Sequence, residues 1–191
     1  MRIHRLYRSI AGGAQAFRRS LGSARTLQRS RLASILSANA ATEFGSRHGF
    51  AGIASTADFR AQVPIARYED FEADIARMAA GEPDILVPGR PIGFEETGGS
   101  RAGPKMIAYT AALLDAFRRA LLVWLDDLAT AFPAVATGSA YWAISPAARA
   151  PRATDGGIPV GLGGDAAYFG PDLAPLVLQT LAVPPEVGLI V

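Results

Sequence analysis

The most suggestive position in this sequence is Lys105, which closes a run of glycine and hydroxyl residues. The chain has 19 basic residues, and Lys105 is the only lysine among them. It directly follows Thr97-Gly98-Gly99-Ser100-Arg101-Ala102-Gly103-Pro104. Small residues leave backbone N–H groups open to an anion, and a lysine ammonium adds a compact positive charge. The pattern therefore predicts a phosphate-binding loop, with a solvated turn as the alternative interpretation.

This loop differs from the two most familiar nucleotide-binding loops. A Walker-type P-loop has Gly, four residues, and then Gly-Lys-Ser/Thr. Gly98 and Gly103 have that separation, but Pro104 displaces the lysine and Met106 stands where the hydroxyl is needed. The dinucleotide fingerprint G-x-G-x-x-G, which opens a helix after a strand, does not occur. The other glycine cluster, at 161–164, is too short to match and is interpreted as a turn.

Composition excludes several other kinds of site. The 191-residue chain has no cysteine, which excludes disulfides, thiolate metal sites and a cysteine nucleophile. This composition fits a reducing compartment, and we expect a cytoplasmic protein. The two histidines, His4 and His48, are too few and too far apart to indicate a zinc site. Charged residues at 115, 118 and 119 interrupt the most apolar run, so no transmembrane segment is expected.

The charges are distributed unevenly along the chain. Residues 1–42 contain eight arginines and no acidic residue, whereas the remainder has 11 basic and 17 acidic residues. Such a start is typical of a transit peptide, a membrane-surface helix or a nucleic-acid-binding arm. The interpretation we favour is a solvated helical face whose acidic partners lie elsewhere in the chain. Because aromatic residues are not interleaved with the arginines, we expect no nucleic-acid partner.

Periodicity and turn residues predict a helical N-terminal third followed by mixed strands and helices. Helices are predicted over 2–20 and from the Gly22-Ser23 break to about 41, followed by a loop through 45–52. A Ser55 cap opens a short helix that ends at Val63-Pro64, and a further helix runs from 68 to a cap at Gly81. Strands at 92–95 and 106–109 flank the glycine loop, and a long helix runs from Thr110 to Pro133. This order favours an α/β fold.

The last third of the chain is predicted with fewer signals. We expect a strand at 141–144, a glycine-rich connection over 153–164, and a helix opened by Pro171 that carries Leu173, Leu176, Val177 and Leu181. Pro184-Pro185 is expected to end that helix. Residues 187–191 are apolar enough for a buried strand. An apolar strand at the very end of a sequence is unusual for a complete domain, so the sequence predicts a partial chain.

Several blocks of this sequence together resemble one family. The glycine loop is similar to the phosphate-binding loop of acyl-adenylate-forming enzymes. Residues 32–50 resemble the opening helix and turn of the Gretchen Hagen family of auxin-responsive acyl-acid amido synthetases. Two further blocks match that family's early segments: Phe59-Arg60-x-x-Val63-Pro64-Ile65-x-x-Tyr68-Glu69-Asp70 and Ile75-x-Arg77-x-x-x-Gly81-Glu82. The blocks keep the family's order and spacing over about residues 30–110.

The resemblance implies the fold and activity of a ligase. It implies the N-terminal part of the large domain of an adenylate-forming enzyme, with a basic helical segment at 1–30 and an incomplete N-terminal adenylation domain at 31–191. The family uses ATP with Mg²⁺ to activate a small carboxylic acid as an acyl-adenylate, which is then conjugated to an amino acid. By the match, the ATP-binding residues are Thr97, Gly98, Gly99, Ser100, Arg101, Gly103 and Lys105. The resemblance assigns no catalytic residue and no metal ligand within this chain.

Departures from the family pattern limit what this chain is expected to do alone. Arg101 stands where the family has a small hydroxyl residue, Ala102 replaces a glycine and Gly98 replaces a serine. The family's ribose-binding aspartate and mobile C-terminal domain are not found in this sequence. We therefore expect the 191-residue chain alone to be inactive as an enzyme. The alternative is a non-enzymatic binding module whose basic start faces a membrane or a nucleic acid.

Overall fold

The computed structural model of the chain describes residues 3–97, 104–141 and 152–183, which divide into two compact units. The sheet unit comprises residues 22–97, 104–110 and 153–160, and the helical unit comprises residues 3–21, 111–141, 152 and 161–183. The elements in chain order are α1 (Ile3–Ser20), α2 (Ala24–Asn39), α3 (Glu43–Arg47), α4 (Thr56–Gln62), α5 (Glu72–Ala79), β1 (Gly93–Thr97), β2 (Lys105–Tyr109), α6 (Ala111–Ala131), β3 (Arg152–Ala153), β4 (Pro159–Val160) and α7 (Gly170–Leu178).

The predicted helical start and most helix boundaries of the sheet unit are confirmed. The helix predicted from residue 68 begins instead as a 3₁₀ turn at Tyr68–Phe71, and the α-helix α5 starts at Glu72. A 3₁₀ turn at Leu21–Ser23 separates α1 from α2, at the predicted break. The Ser55 side chain accepts a hydrogen bond from the Asp58 N–H at 3.1 Å, which caps α4, and α4 ends at Gln62 before Val63-Pro64. Gly81 follows α5 with a φ of 97°, a left-handed value that favours glycine.

The prediction of a plain loop over 45–52 is wrong. Thr42 accepts a hydrogen bond from the Gly45 N–H at 2.9 Å and opens the short helix α3, and a second 3₁₀ turn spans Phe50–Gly52. The N–H groups at the start of α3 donate to the carbonyls of Asp84 and Ile85 at 2.8 and 3.0 Å. These partners lie about 40 residues further along the chain, so local sequence did not reveal them.

The sheet has four strands in the order β2-β1-β4-β3. β1 and β2 pair antiparallel, and β4 pairs parallel to β1 with Phe94 opposite Val160. The connection predicted over 153–164 thus contains two short strand segments, and the single-sequence prediction missed them because each is two residues long. The strand predicted at 141–144 lies outside the described residues except for Tyr141, which is not in a strand, and the one at 187–191 lies wholly outside them.

The core of the sheet unit forms beneath β1. Phe94 and Met78 are almost completely buried, and they cluster with Ile85 and Ile158. Met106 of β2 packs against the same cluster. Fully burying a phenylalanine side chain contributes about 1.5–3 kcal/mol, so Phe94 is a principal anchor of the strand that leads into the glycine loop.

A close backbone approach seats the turn between β3 and β4 on the end of α5. The Gly156 N–H donates to the Ala79 carbonyl at 3.0 Å. A Cβ added at Gly156 would lie 2.5 Å from the Ala80 carbonyl carbon and 2.6 Å from the Ala79 oxygen. Only a glycine permits this approach, which holds β4 in place beside β1.

An ion-pair cluster joins α3 to α5. The Asp74 carboxylate is nearly buried and lies 3.2 Å from the Arg47 guanidinium and 3.8 Å from that of Arg77. Glu43 of α3 lies 2.9 Å from Arg77. The cluster therefore satisfies a carboxylate that would otherwise be desolvated without a partner.

The helical unit is built on α6. Its core consists of Leu125, Phe169 and Val177, so the predicted apolar face of the last helix is partly confirmed, although α7 ends at Leu178, before Leu181. Arg18 of α1 lies 2.7 Å from Asp126 and 3.4 Å from Asp127 of α6. One arginine of the acid-free start thus has its acidic partners elsewhere in the chain. Across the described ranges, every helix is too short or too polar to cross a membrane.

Candidate functional site

The two described ends of the predicted phosphate loop face each other across a β-hairpin. In the antiparallel ladder of β1 and β2, Thr97 is the partner of Lys105 and forms the last pair before the connection. The predicted site residues Gly98, Gly99, Ser100, Arg101 and Gly103 lie outside the described residues. The structure therefore places the two residues that bound the loop opposite each other in the ladder, and the roles of all the predicted loop residues remain predictions.

The alternation of the strands places Lys105 away from the core. Phe94 and its partner Ala108 lie on the face that packs on the sheet-unit core. Lys105, Thr97 and Glu95 lie on the opposite face, because successive side chains along a strand point to opposite sides. These three residues therefore lie on the side of the hairpin that faces away from this core.

The Lys105 ammonium is held by the 3₁₀ turn at Tyr68–Phe71. Its Nζ lies 3.3 Å from Oε1 of Glu69 and 4.9 Å from the centroid of the Tyr68 ring. The Tyr68 hydroxyl accepts a hydrogen bond from the Met106 N–H at 2.9 Å. That N–H lies on β2, which is the edge strand of the sheet, so Tyr68 also satisfies part of an exposed strand edge.

Sequence analysis assigned no site role to Tyr68 and Glu69. They were expected to open a helix, and Glu69 lies 36 residues before Lys105. The signal that pointed to them was their place in a block that resembles the family, since no local pattern couples positions so far apart. The structure adds them to the candidate site as the surroundings of its one lysine.

The electrostatic surroundings of the hairpin are mixed. A hydrogen bond from its own backbone N–H and the nearby Lys105 ammonium lower the pKa of Glu69. Partial burial, with a smaller contribution from the Glu95 charge, raises the pKa of Tyr109 on β2. Acidic side chains therefore neighbour the hairpin alongside the Lys105 ammonium.

The described ranges contain no cluster of side chains that could bind Mg²⁺ by itself. Within them, no group of three or more histidine, aspartate or glutamate side chains is arranged to hold a metal ion. Mg²⁺ is commonly bound by one or two carboxylates together with substrate phosphates. The described residues do not by themselves fit a resident magnesium site.

A shallow groove of about 420 Å³ lies elsewhere in the sheet unit. It runs between α2 and the segment 53–57, with Arg29, Leu32 and Leu36 on one wall and Ile53 on the other. Neither Thr97 nor Lys105, the two predicted loop residues that the structure describes, lines it.

A family model and several known proteins are similar in sequence to this chain. The family model described as the GH3 family N-terminal domain matches residues 13–190. Over 92 residues the chain is 39% identical to the indole-3-acetic acid-amido synthetase GH3.15 of Arabidopsis thaliana. The aligned segment covers 47% of this chain and 15% of that protein. Over 80 residues it is 35% identical to the probable indole-3-acetic acid-amido synthetase GH3.2 of Oryza sativa subsp. japonica, covering 41% of this chain and 13% of that protein.

Two solved structures share the fold. The structure described as AtGH3.15 acyl acid amido synthetase in complex with 2,4-DB matches 71% of this chain with a TM-score of 0.61 and 27% identity. A second, described as GH3.15 acyl acid amido synthetase, matches 86% of this chain with a TM-score of 0.66 and 22% identity. The chain spans only 24% and 28% of these two solved chains.

Proposed function

This chain belongs to the GH3 family, and on that basis we propose that it forms the N-terminal, phosphate-binding part of an ATP-dependent acyl-acid amido synthetase. Its α/β fold is that of the corresponding part of the adenylate-forming GH3 enzymes. The complete enzyme would activate a small carboxylic acid as an acyl-adenylate, release pyrophosphate and transfer the acyl group to an amino acid. A cytoplasmic location belongs to the same proposal.

The single observation that carries the proposal is Lys105 at the base of the β1–β2 hairpin, opposite Thr97. Attack of a carboxylate on the α-phosphate brings two negative groups together, so the site must fix the phosphates and offset their charge. Lys105 supplies that charge, and the hydroxyl and amide groups of Thr97, Gly98, Gly99 and Ser100 supply hydrogen-bond donors. Mg²⁺, held chiefly by the phosphates of ATP, would neutralise further charge.

The chain alone is expected not to perform the reaction. It spans about a quarter of the related solved chains, so the groups that recognise the acid and the amino acid are not all expected within it. The 191-residue chain should bind ATP weakly and show no amino-acid-dependent ATP consumption. Robust pyrophosphate release by this chain with any acid would contradict this expectation.

The proposal is tested by measuring ATP binding to the 191-residue chain by isothermal titration calorimetry. Lys105→Ala should weaken binding about tenfold, the effect of losing a positioned charged donor to a phosphate. Arg60→Ala removes one positive charge from an exposed position on α4 and serves as the matched control. Equal losses in both variants, or none in Lys105→Ala, would refute the phosphate-site assignment. Binding to an anionic membrane or a nucleic acid that collapses between low and moderate salt, and that vanishes on removal of residues 1–31, would instead favour a basic binding module.

A second measurement applies to a protein that carries the rest of the adenylation domain. There, Lys105→Ala and Ser100→Ala should each slow pyrophosphate exchange at saturating acid about 10- to 1000-fold. Arg101→Thr, which restores the family's residue type, should leave exchange equal or faster. A slower Arg101→Thr enzyme would indicate that the guanidinium has become a phosphate ligand.

A further inference from the structure

The surroundings of Lys105 contain an anionic side chain of the protein itself. The Glu69 carboxylate lies 3.3 Å from the ammonium, and 37% of the Lys105 side chain and 55% of the Glu69 side chain are exposed to solvent. Ion pairs with this exposure are weak, because water solvates both charges and both side chains lose rotamer freedom when they pair. A ligand with several negative charges can therefore displace Glu69 from the lysine.

Tyr68 is placed to keep the ammonium in position when Glu69 is displaced. Its ring lies beneath the Lys105 ammonium at 4.9 Å, within the range of a cation–π interaction. Its hydroxyl is fixed by the Met106 N–H on the same strand as Lys105. One side chain thus ties the backbone of β2 and the lysine head group to the same turn.

The turn that carries both residues is itself held in shape. The Asp70 carboxylate accepts a hydrogen bond from the Arg67 N–H at 2.7 Å, which closes the turn at its first residue. The Glu69 carboxylate is charged at neutral pH, and its own backbone N–H and the Lys105 ammonium lower its pKa further. Glu69 is therefore available as an anionic partner of Lys105 under ordinary conditions.

We propose that Glu69 and Tyr68 are positioning residues for Lys105: Glu69 holds the ammonium until an oligophosphate displaces it, and Tyr68 holds the ammonium at the base of the hairpin in both states. This inference rests on the proposed phosphate-binding function of the loop. Glu69 acts as an internal competitor of the phosphates, so its charge lowers the affinity for them while it keeps the lysine oriented.

The sole lysine makes a direct test possible. Chain labelled with ¹³C at the lysine ε-carbon gives one lysine signal, which reports on Lys105 alone. Glu69→Gln should shift that signal in the free chain, whereas Glu72→Gln, the same change at an exposed position three residues further along, should not. Titration with inorganic triphosphate should shift the wild-type signal and bring it to the same end point as in Glu69→Gln.

Affinities for inorganic triphosphate give the second readout. Glu69→Gln should bind about two- to fivefold more tightly than Glu72→Gln, the factor expected from removing an exposed ion pair that competes with the ligand. Tyr68→Leu should weaken binding about two- to fivefold, and Tyr68→Phe, which keeps the ring, should restore most of that loss. A merely structural role for Glu69 would lower affinity on substitution, so a gain is diagnostic.

The outcomes separate this inference from the function on which it rests. Equal affinities in Glu69→Gln and Glu72→Gln, or an unmoved lysine signal in free Glu69→Gln, would overturn the competitor role of Glu69. Equal binding by Tyr68→Leu and the wild type would overturn the role of Tyr68. Triphosphate binding that Lys105→Ala leaves unchanged, or no triphosphate binding by the wild type, would refute the phosphate site. The displacement of Glu69 by phosphates would then be refuted as well. The lysine signal of the free chain would still decide whether Glu69 holds Lys105.

Discussion

Replacing Gly156 by alanine tests whether the β3–β4 turn is seated on α5 as the structure has it. The new Cβ would lie 2.5 Å from the carbonyl carbon of Ala80 and from the N of Gly81, both of them backbone atoms that cannot rotate away. Ordinary contacts begin near 3.4 Å, so the turn must move by nearly an ångström or the end of α5 must shift. Overpacking of this kind costs about 1–3 kcal/mol. For a chain of this size we expect Gly156→Ala to lower the Tm by about 2–12 °C.

The assay is thermal unfolding followed by circular dichroism, with Gly52→Ala as the matched control. Gly52 lies in the same unit, and a Cβ added there would meet nothing within 4 Å, so its substitution should leave the Tm within about 2 °C of the wild type. A Gly156→Ala chain that melts together with the Gly52→Ala chain would refute the close approach. It would also remove the argument that this glycine holds β4 beside β1.

Three further predictions concern the core, the ion-pair cluster and the candidate site. Phe94→Ala should destabilise the sheet unit by about 3–5 kcal/mol, measured by urea unfolding, since it empties the most buried position of β1. Asp74→Asn should lower the Tm by about 2–8 °C, because two arginines lose the charge they share, whereas Glu72→Gln on the same helix should leave it unchanged. The pKa of Glu69 is lowered in the folded chain, so its pairing with Lys105 is complete above the usual glutamate range and is lost as pH falls through that lowered pKa. The ε-carbon signal of Lys105 should then move on acidification towards its position in Glu69→Gln, and a signal that moves equally in that variant would contradict the assignment.

Sequence reasoning succeeded where the determining interactions are local. The Ser55 cap, the glycine after α5 and the two strands around the glycine loop each follow from residues within a few positions of one another. It failed where the partner is distant. The helix α3 depends on carbonyls at 84 and 85, and β4 is a strand only because β1 lies beside it.

The residues of the candidate site likewise fall into a group that the sequence predicted and a group that only the fold revealed. The loop and its lysine were visible as a pattern of residue types, whereas Glu69 and Tyr68 became part of the site only through folding. An ion pair between residues 36 positions apart leaves no periodic trace in a single sequence. The resemblance to the family singled out that segment without saying what its side chains contact.

The path of the chain through the two units has a consequence for any attempt to dissect the protein. The backbone crosses between the units at four places, after residues 21, 110, 152 and 160. No single proteolytic cut can therefore release either unit intact. A fragment that stops at Thr110 would contain every helix of the sheet unit but would lack β4, leaving an edge of β1 open to pairing with a neighbouring molecule. During synthesis the same edge stays unpaired until residue 160 has emerged. The pairing of β1, the strand that leads into the glycine loop, is therefore completed late.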